Sequence, residues 1–192
     1  MKPRSPTIGI LKTSSGNTGS IQHALTRNGI PSRIVETAEE IDAVNGLIFP
    51  GAGAAKPAMA DLRKRKLVSV LRGYKKPFLG LCLGMQLLFL TSEEGPANCL
   101  GIIPGEVRRL PKNVMAPHMG WDKLSTGDYA YFVHSYVCIP DDPSVITQTV
   151  QYGNALCAAV RLRNFFGLQW HPEKSGDIGD AFLLSFAKLA EK

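Results

Sequence analysis

The sequence predicts an α/β fold built on a mostly parallel sheet, with helices on both faces and an antiparallel extension. Three observations point to it. Through the first half, short apolar runs alternate with stretches of helical spacing, the pattern of strands crossing over through helices. From 100–170 the chain changes to short alternating strands separated by turns, an antiparallel pattern. Residues 178–190 then close the chain as an amphipathic helix.

Residues 7–11 read as the first strand, and the loop SSGNTG at 14–19 leads into a helix through about Asn28, with Gly29 as its stop. Further strands are expected at Ser32–Val35 and 46–49, with Pro50 interrupting the second. Helical patterns at 57–74 precede a buried apolar run, Phe78, Leu79, Gly80 and Leu81. Leu83, Leu87 and Leu90, with Leu88 beside them, then recur at helical spacing. No linker, repeat or low-complexity segment divides the 192 residues, so one domain over 1–192 is expected.

Cys82 sits between Gly80 and Gly84 at this strand-to-helix seam. A sharp turn there forces backbone angles that only small neighbours tolerate, and it aims the side chain outward as a nucleophile. A helix N-terminus favours the thiolate. Packing as a small apolar residue is the other fate open to a free cysteine. A base is offered by His171 in FFGLQWHPEKS at 165–175. Residues 165–170 read as a strand, and Pro172 biases His171 toward an extended conformation. Residues two apart in an extended chain share a face, so Glu173 is placed to orient the imidazole that takes the Cys82 proton. A surface turn with a local His and Glu contact is the alternative for the tripeptide alone.

Together, Cys82 in G-x-C-x-G and a late H-P-E resemble the triad-type, class I glutamine amidotransferases. The strings PGAG at 50–53, GLCLGMQLLF at 80–89, SEE at 92–94, PHMGW at 117–121, YFVHSY at 131–136 and HPEKS at 171–175 are similar to the glutaminase subunits of imidazole glycerol phosphate synthase. The fit runs in order and spacing over 8–192. It implies a three-layer, flavodoxin-like fold with the nucleophile at the carboxyl ends of the strands, and a catalytic triad of Cys82, His171 and Glu173. Backbone N–H groups of Ala52 and Gly53 are expected to join that of Leu83 as the oxyanion hole. Gly53, Gln86, Glu94, Ser135 and Tyr136 are expected around the amino and carboxylate groups of glutamine. Gln86, one turn after Cys82, equally suits a hydrogen-bond network, and Tyr136 a half-buried strand.

The resemblance also implies a glutamyl thioester and release of glutamate. Ammonia would pass across a sealed interface to a (β/α)8 cyclase subunit, in a heterodimer whose cyclase activates the glutaminase. The cyclase product would be imidazole glycerol phosphate, with an aminoimidazole carboxamide ribotide, in histidine biosynthesis. Asn17, Met119, Trp121 and Lys174 match partner-facing positions. No cofactor and no metal are implied. Several positions depart from the common family pattern: Lys12, Thr13 and Ser14 replace an Asp-Tyr-Gly, Ala55 an aromatic, Asp122 an asparagine and Trp170 a phenylalanine. These leave open a related amidotransferase serving a cyclase-like synthase of surface sugars. A non-catalytic interaction subunit would keep the fold without the triad, and a cysteine hydrolase would keep it without the glutamine pocket.

Composition narrows the rest. With 22 Lys and Arg against 16 Asp and Glu, the net charge of +6 concentrates in RKRK at 63–66, Arg72, Lys75 and Lys76. Few aromatics interleave with these for base stacking, so a solvated helix face is expected rather than a nucleic-acid site. Arg108, Arg109 and Lys112 equally suit an acidic protein partner. Cys82, Cys99, Cys138 and Cys157 show no metal spacing and point to a reducing cytosol, the last three as packing residues. The basic N-terminus carries too short an apolar stretch for a signal peptide, and no apolar run reaches membrane-spanning length.

Overall fold

The apolar runs at 8–11, 46–50 and 78–82 become strands buried on both faces, whereas the edge strand at 32–35 leaves Arg33 and Ile34 exposed. The computed structural model describes residues 6–13 and 16–191; the start of the basic N-terminal stretch and the departure at Ser14 lie outside them. In chain order, β1 (Ile8–Leu11), α1 (Thr18–Arg27), β2 (Ser32–Val35), α2 (Ala38–Asp42), β3 (Gly46–Gly51), α3 (Ala55–Lys64), α4 (Val68–Arg72) and β4 (Phe78–Cys82) alternate. The one-turn α5 (Leu83–Gln86) leads to β5 (Thr91–Ser92), β6 (Ala97–Asn98), β7 (Gly105–Arg109), β8 (His118–Lys123), β9 (Tyr129–His134) and β10 (Tyr136–Pro140). After these come β11 (Ile146–Tyr152), β12 (Asn154–Leu162), β13 (Phe165–Leu168), a 3-10 turn at Pro172–Lys174 and α6 (Gly176–Leu189).

The main sheet has the order β11-β12-β13-β4-β3-β1-β2. Its pairs from β13 to β2 are parallel, and β12 and β11 extend it antiparallel. Alternation along each strand feeds two cores. Leu47, Phe49 and Phe78 face α3, α4 and a four-stranded sheet of order β10-β7-β5-β6, whereas Ile48, Leu79 and Leu81 face α1, α6 and the β8–β9 hairpin. This is the three-layer arrangement that the sequence predicts. Strands β3, β4 and β13 lie side by side, with Gly51 beside Cys82 and Leu168 beside Leu81. Their carboxyl ends therefore open at one place, where parallel sheets of this kind bind ligands.

The helical patterns at 57–74 become two helices, because Lys66 turns left-handed (φ 57°) and Leu67 N–H reaches back to Leu62 O, the hydrogen bonding of a Schellman ending. Four expectations change. The helix expected over 83–90 stops after one turn: Leu87 and Leu88 are wholly buried by tertiary packing, and the chain leaves to pair Leu90 N–H with Gly105 O. Pro50 does not end its strand, since β3 continues through it to Gly51. Strand β13 joins the parallel run beside β4, although it lies in the stretch read as antiparallel. The basic residues are not a purely solvated face. Arg63 donates to Asn98 O, Arg65 to Lys12 O and Glu36 O, Arg72 to Leu100 O, and Lys76 to Asp42 O and Val44 O. They tie loops to helices. Among the described residues, no helix is long and apolar enough to cross a membrane.

Candidate active site

Cys82 ends β4 with φ 51° and ψ −109°, a left-handed backbone that places its side chain above the sheet edge. Non-glycine residues in such a region cost of order 1–3 kcal/mol, held by the surrounding structure. Here the hold is close packing. A Cβ on Gly51 would lie 2.7 Å from Leu83 Cβ, one on Gly84 would collide with Phe49 O, and one on Gly80 with the Gly84 backbone. Both glycines of the motif are thus required by the approach of β3 and the elbow on either side of Cys82. Since α5 is one turn long, its macrodipole is small, and thiolate stabilisation falls to nearby groups.

His171 follows β13 in an extended conformation (φ −103°, ψ 99°), and Pro172 starts the 3-10 turn. That turn, rather than strand alternation, brings Glu173 back, so that the contact of His171 Nδ1 with Glu173 Oε1 is 2.8 Å. A carboxylate there holds one proton on Nδ1 and leaves Nε2 as the nitrogen that can exchange the second. Nε2 is buried without a well-aligned hydrogen bond. Burial pushes the His171 pKa down, but the proximity and charge of Cys82 and Glu173 outweigh it and raise the value to about 10. Near neutral pH the imidazolium is therefore the favoured form of His171. Two backbone straps fix the loop: His171 N–H donates to Tyr131 O (2.9 Å), and Ser175 Oγ bridges Tyr131 N–H (3.0 Å) to His171 O (2.6 Å).

Cys82 and His171 open on one cavity of about 330 Å3. Ala52, Gly53 and Leu83, expected to provide backbone donors, line it, as do Gln86, Glu94, Ser135 and Tyr136, expected around the substrate. Gly53 has a φ of 83°, a conformation that suits glycine, in the loop that lines the cavity with Cys82. Burial raises the Glu94 pKa, while a hydrogen bond from the Ala55 backbone opposes that shift. Gln86, only 3% exposed, commits Nε2 to Gln169 Oε1 (3.0 Å) and Tyr136 O (3.3 Å). The network reading of Gln86 thus has a physical basis alongside its place on the cavity wall.

Met119, Trp121 and Lys174 lie outside the cavity lining, on and beside the β8–β9 hairpin. Met119 and Trp121 are 62% and 56% exposed on the outer face of β8, Trp121 meets Tyr131 edge-on, and Lys174 Nζ lies 5.4 Å from the Tyr131 ring centre. Asn17 instead caps α1, accepting from Ser20 N–H. Pro117, Val133 and His134 also line the cavity and Gln169 lies beside Cys82, places that the sequence does not signal. Nothing local in the chain distinguishes a wall residue from a core one. Among the described residues, no group of three or more His, Cys, Asp or Glu is placed to hold a metal ion.

An elbow cysteine, a histidine beside a carboxylate and a sheet of this order fit a class I amidotransferase. Residues 10–189 match the glutamine amidotransferase class-I family. "Imidazole glycerol phosphate synthase subunit HisH" of Moorella thermoacetica is 41% identical, covering 95% of this chain and 94% of the relative. The protein of the same name from Exiguobacterium sibiricum is 44% identical, over 90% of each. A solved glutamine amidotransferase superposes with TM-score 0.78 at 22% identity, covering 96% of this chain and 99% of that one. "PurLQS from Thermotoga maritima" gives TM-score 0.73 at 18% identity over 98% of this chain and 100% of its own, which speaks to the fold alone. The chain belongs to the class-I glutamine amidotransferases and, within them, to the HisH family of imidazole glycerol phosphate synthase subunits.

Proposed function

We propose that residues 1–192 act as one amidotransferase domain, the glutaminase subunit of an imidazole glycerol phosphate synthase, with Cys82, His171 and Glu173 as its triad. The observation that carries this is the Cys82 thiol on its strained elbow, sharing one cavity with a histidine that Glu173 orients at 2.8 Å. Cys82 sulfur attacks the side-chain amide carbon of glutamine, and the carbonyl π pair moves to oxygen. Backbone N–H groups of the Ala52–Gly53 loop and of Leu83 hold that oxyanion. His171 protonates the departing nitrogen, leaving a glutamyl thioester. Water that gives its proton to His171 then attacks the thioester carbon, releasing glutamate and restoring the thiolate. Glu94, Ser135 and Tyr136 face the amino acid end of the substrate, where a carboxylate suits the α-ammonium group.

Ammonia released into neutral water becomes ammonium and loses its nucleophilicity, so a sealed route to an acceptor is needed. The exposed apolar pair Met119 and Trp121, on the hairpin whose Tyr131 ring meets both Trp121 and Lys174, supports docking of a (β/α)8 cyclase there. The cyclase would use the ammonia to form imidazole glycerol phosphate in the cytoplasm. Cys82→Ala should abolish glutamine-dependent synthesis by the complex yet leave synthesis from ammonium salts intact. A glutamine-like electrophile should label Cys82 and spare Cys99, Cys138 and Cys157. Retained glutamine use by Cys82→Ala would sink the assignment.

A further inference from the structure

We infer that Gln169 is a further catalytic residue, its side-chain N–H group donating to the sulfur of Cys82 and favouring the thiolate. This rests on the proposed nucleophile. Gln169 follows β13 directly, is 0% exposed, and has its backbone pinned by a hydrogen bond to Ala158 O (2.9 Å). Its Nε2 lies 3.6 Å from Cys82 Sγ, within reach of a hydrogen bond to sulfur.

The direction of that hydrogen bond follows from a carbonyl that can only accept. Tyr136 O receives Gln86 Nε2 at 3.3 Å, so the Gln86 group pointing that way is its NH2. The same Nε2 meets Gln169 at 3.0 Å, which must therefore present its oxygen. The other end of the Gln169 amide is then NH2, and it faces sulfur. A flip of either amide would set two donors or two acceptors against each other in a buried site.

On another side of the sulfur, the thiol donates to Val133 O at 3.8 Å. Once the proton passes to His171, that carbonyl becomes a neighbour of the same sign as the thiolate. Gln169 N–H compensates, together with the imidazolium. Gln169 gives up no proton. As the carbon–sulfur bond forms, negative charge moves from sulfur to the carbonyl oxygen and the Gln169 bond weakens. Its effect is thus on the fraction of enzyme holding thiolate, and a higher pH should restore what its loss removes.

Three variants of the full chain test this: Gln169→Glu, which exchanges one nitrogen for oxygen and keeps the acceptor for Gln86; Gln169→Met, which removes both groups; and Gln86→Met, which frees the Gln169 oxygen. The readouts are the rate of iodoacetamide alkylation of Cys82, followed by mass spectrometry from neutral to alkaline pH, and the glutaminase rate over the same range. Gln169→Met should slow alkylation at neutral pH by about tenfold, the size expected for one hydrogen bond to an ion. That rate should return toward wild type at alkaline pH, whereas the glutaminase deficit, which also depends on the His171 proton, should persist. Gln169→Glu should slow alkylation further, and Gln86→Met less, in the same direction. A merely structural role would lower glutaminase without slowing alkylation and without its alkaline recovery. Wild-type alkylation at neutral pH in Gln169→Glu overturns the inference, whether or not Gln169→Met folds. Failure of wild-type Cys82 to alkylate would overturn the nucleophile reading instead.

Discussion

Cys82 holds a left-handed backbone at φ 51° because Phe49, Gly51 and Gly84 close around it, and His171 gains its orientation from a single carboxylate. Glu173 is buried, and its Oε2 has no hydrogen-bond partner, so the whole interaction passes through Oε1. Glu173→Gln can turn its NH2 toward Nδ1, which drives the proton to Nε2 and removes the base. We expect the catalytic rate to fall by roughly 100-fold or more, with less effect on the Michaelis constant. His171→Ala should be at least as damaging, and the double variant far from additive because the two act as one unit. Steady-state kinetics of the three variants check this, and additive losses would contradict a triad. Two departures from the family pattern also find partners at this scale. Trp170 donates its indole N–H to Gln148 Oε1 at 2.9 Å, and Asp122 Oδ2 lies 3.3 Å from His118 Nε2.

The β8–β9 hairpin is the element joining the surface to the site. Its outer face carries Met119 and Trp121, its backbone at Tyr131 ties down both His171 and Ser175, and Val133 O receives the Cys82 thiol. A partner that pressed on this hairpin would bear on His171 and Cys82 together. Lys174 sits above Tyr131 at its edge, exposed and outside the cavity lining. An exposed ion pair contributes little to stability, of order 1 kcal/mol or less, but a partner carboxylate at Lys174 can shift the hairpin. The isolated subunit should therefore have low glutaminase activity and be stimulated by a cognate cyclase with its nucleotide substrate. Lys174→Ala should weaken the stimulation with the basal rate nearly unchanged. Glutamate production with and without cyclase measures both, and full activity alone would point to an independent hydrolase.

Across the molecule, the buried His134 and the half-buried His171, with opposite shifts, shape stability against pH. Burial lowers the His134 pKa from 6.5 to about 4, against a hydrogen bond to Tyr136 O, with the neighbouring histidines adding to the drop. Between those values the unfolded chain binds more protons, so this contribution is present above pH 6.5 and lost as pH falls toward 4. His171, raised from 6.5 to about 10, contributes fully below pH 6.5 and loses that contribution as pH rises toward 10. Stability from this pair should peak near pH 6.5. Urea unfolding across the range should show His134→Gln flattening the acid side and His171→Gln the alkaline side. Unchanged slopes in both variants would refute the linkage.

The sequence by itself determined the nucleophile, the base and its orienter as candidates, because each is marked by covalent neighbours that set the local backbone. Gly80 and Gly84 frame Cys82, and Pro172 starts the turn that returns Glu173 to His171. Alternating apolar runs likewise made the parallel sheet and its helices legible, since a strand buried on both faces needs no distant partner to be apolar. Only the tertiary structure decided that α5 stops after one turn, that β13 lies parallel beside β4, and that basic side chains brace loops through backbone carbonyls. It also decided the chain from Tyr136 O through Gln86 and Gln169 to Cys82. Hydrogen-bond partners far apart in the chain leave no periodicity or spacing to read. They are chosen by which strand ends the sheet order brings together, and here that order sets β3, β4 and β13 side by side.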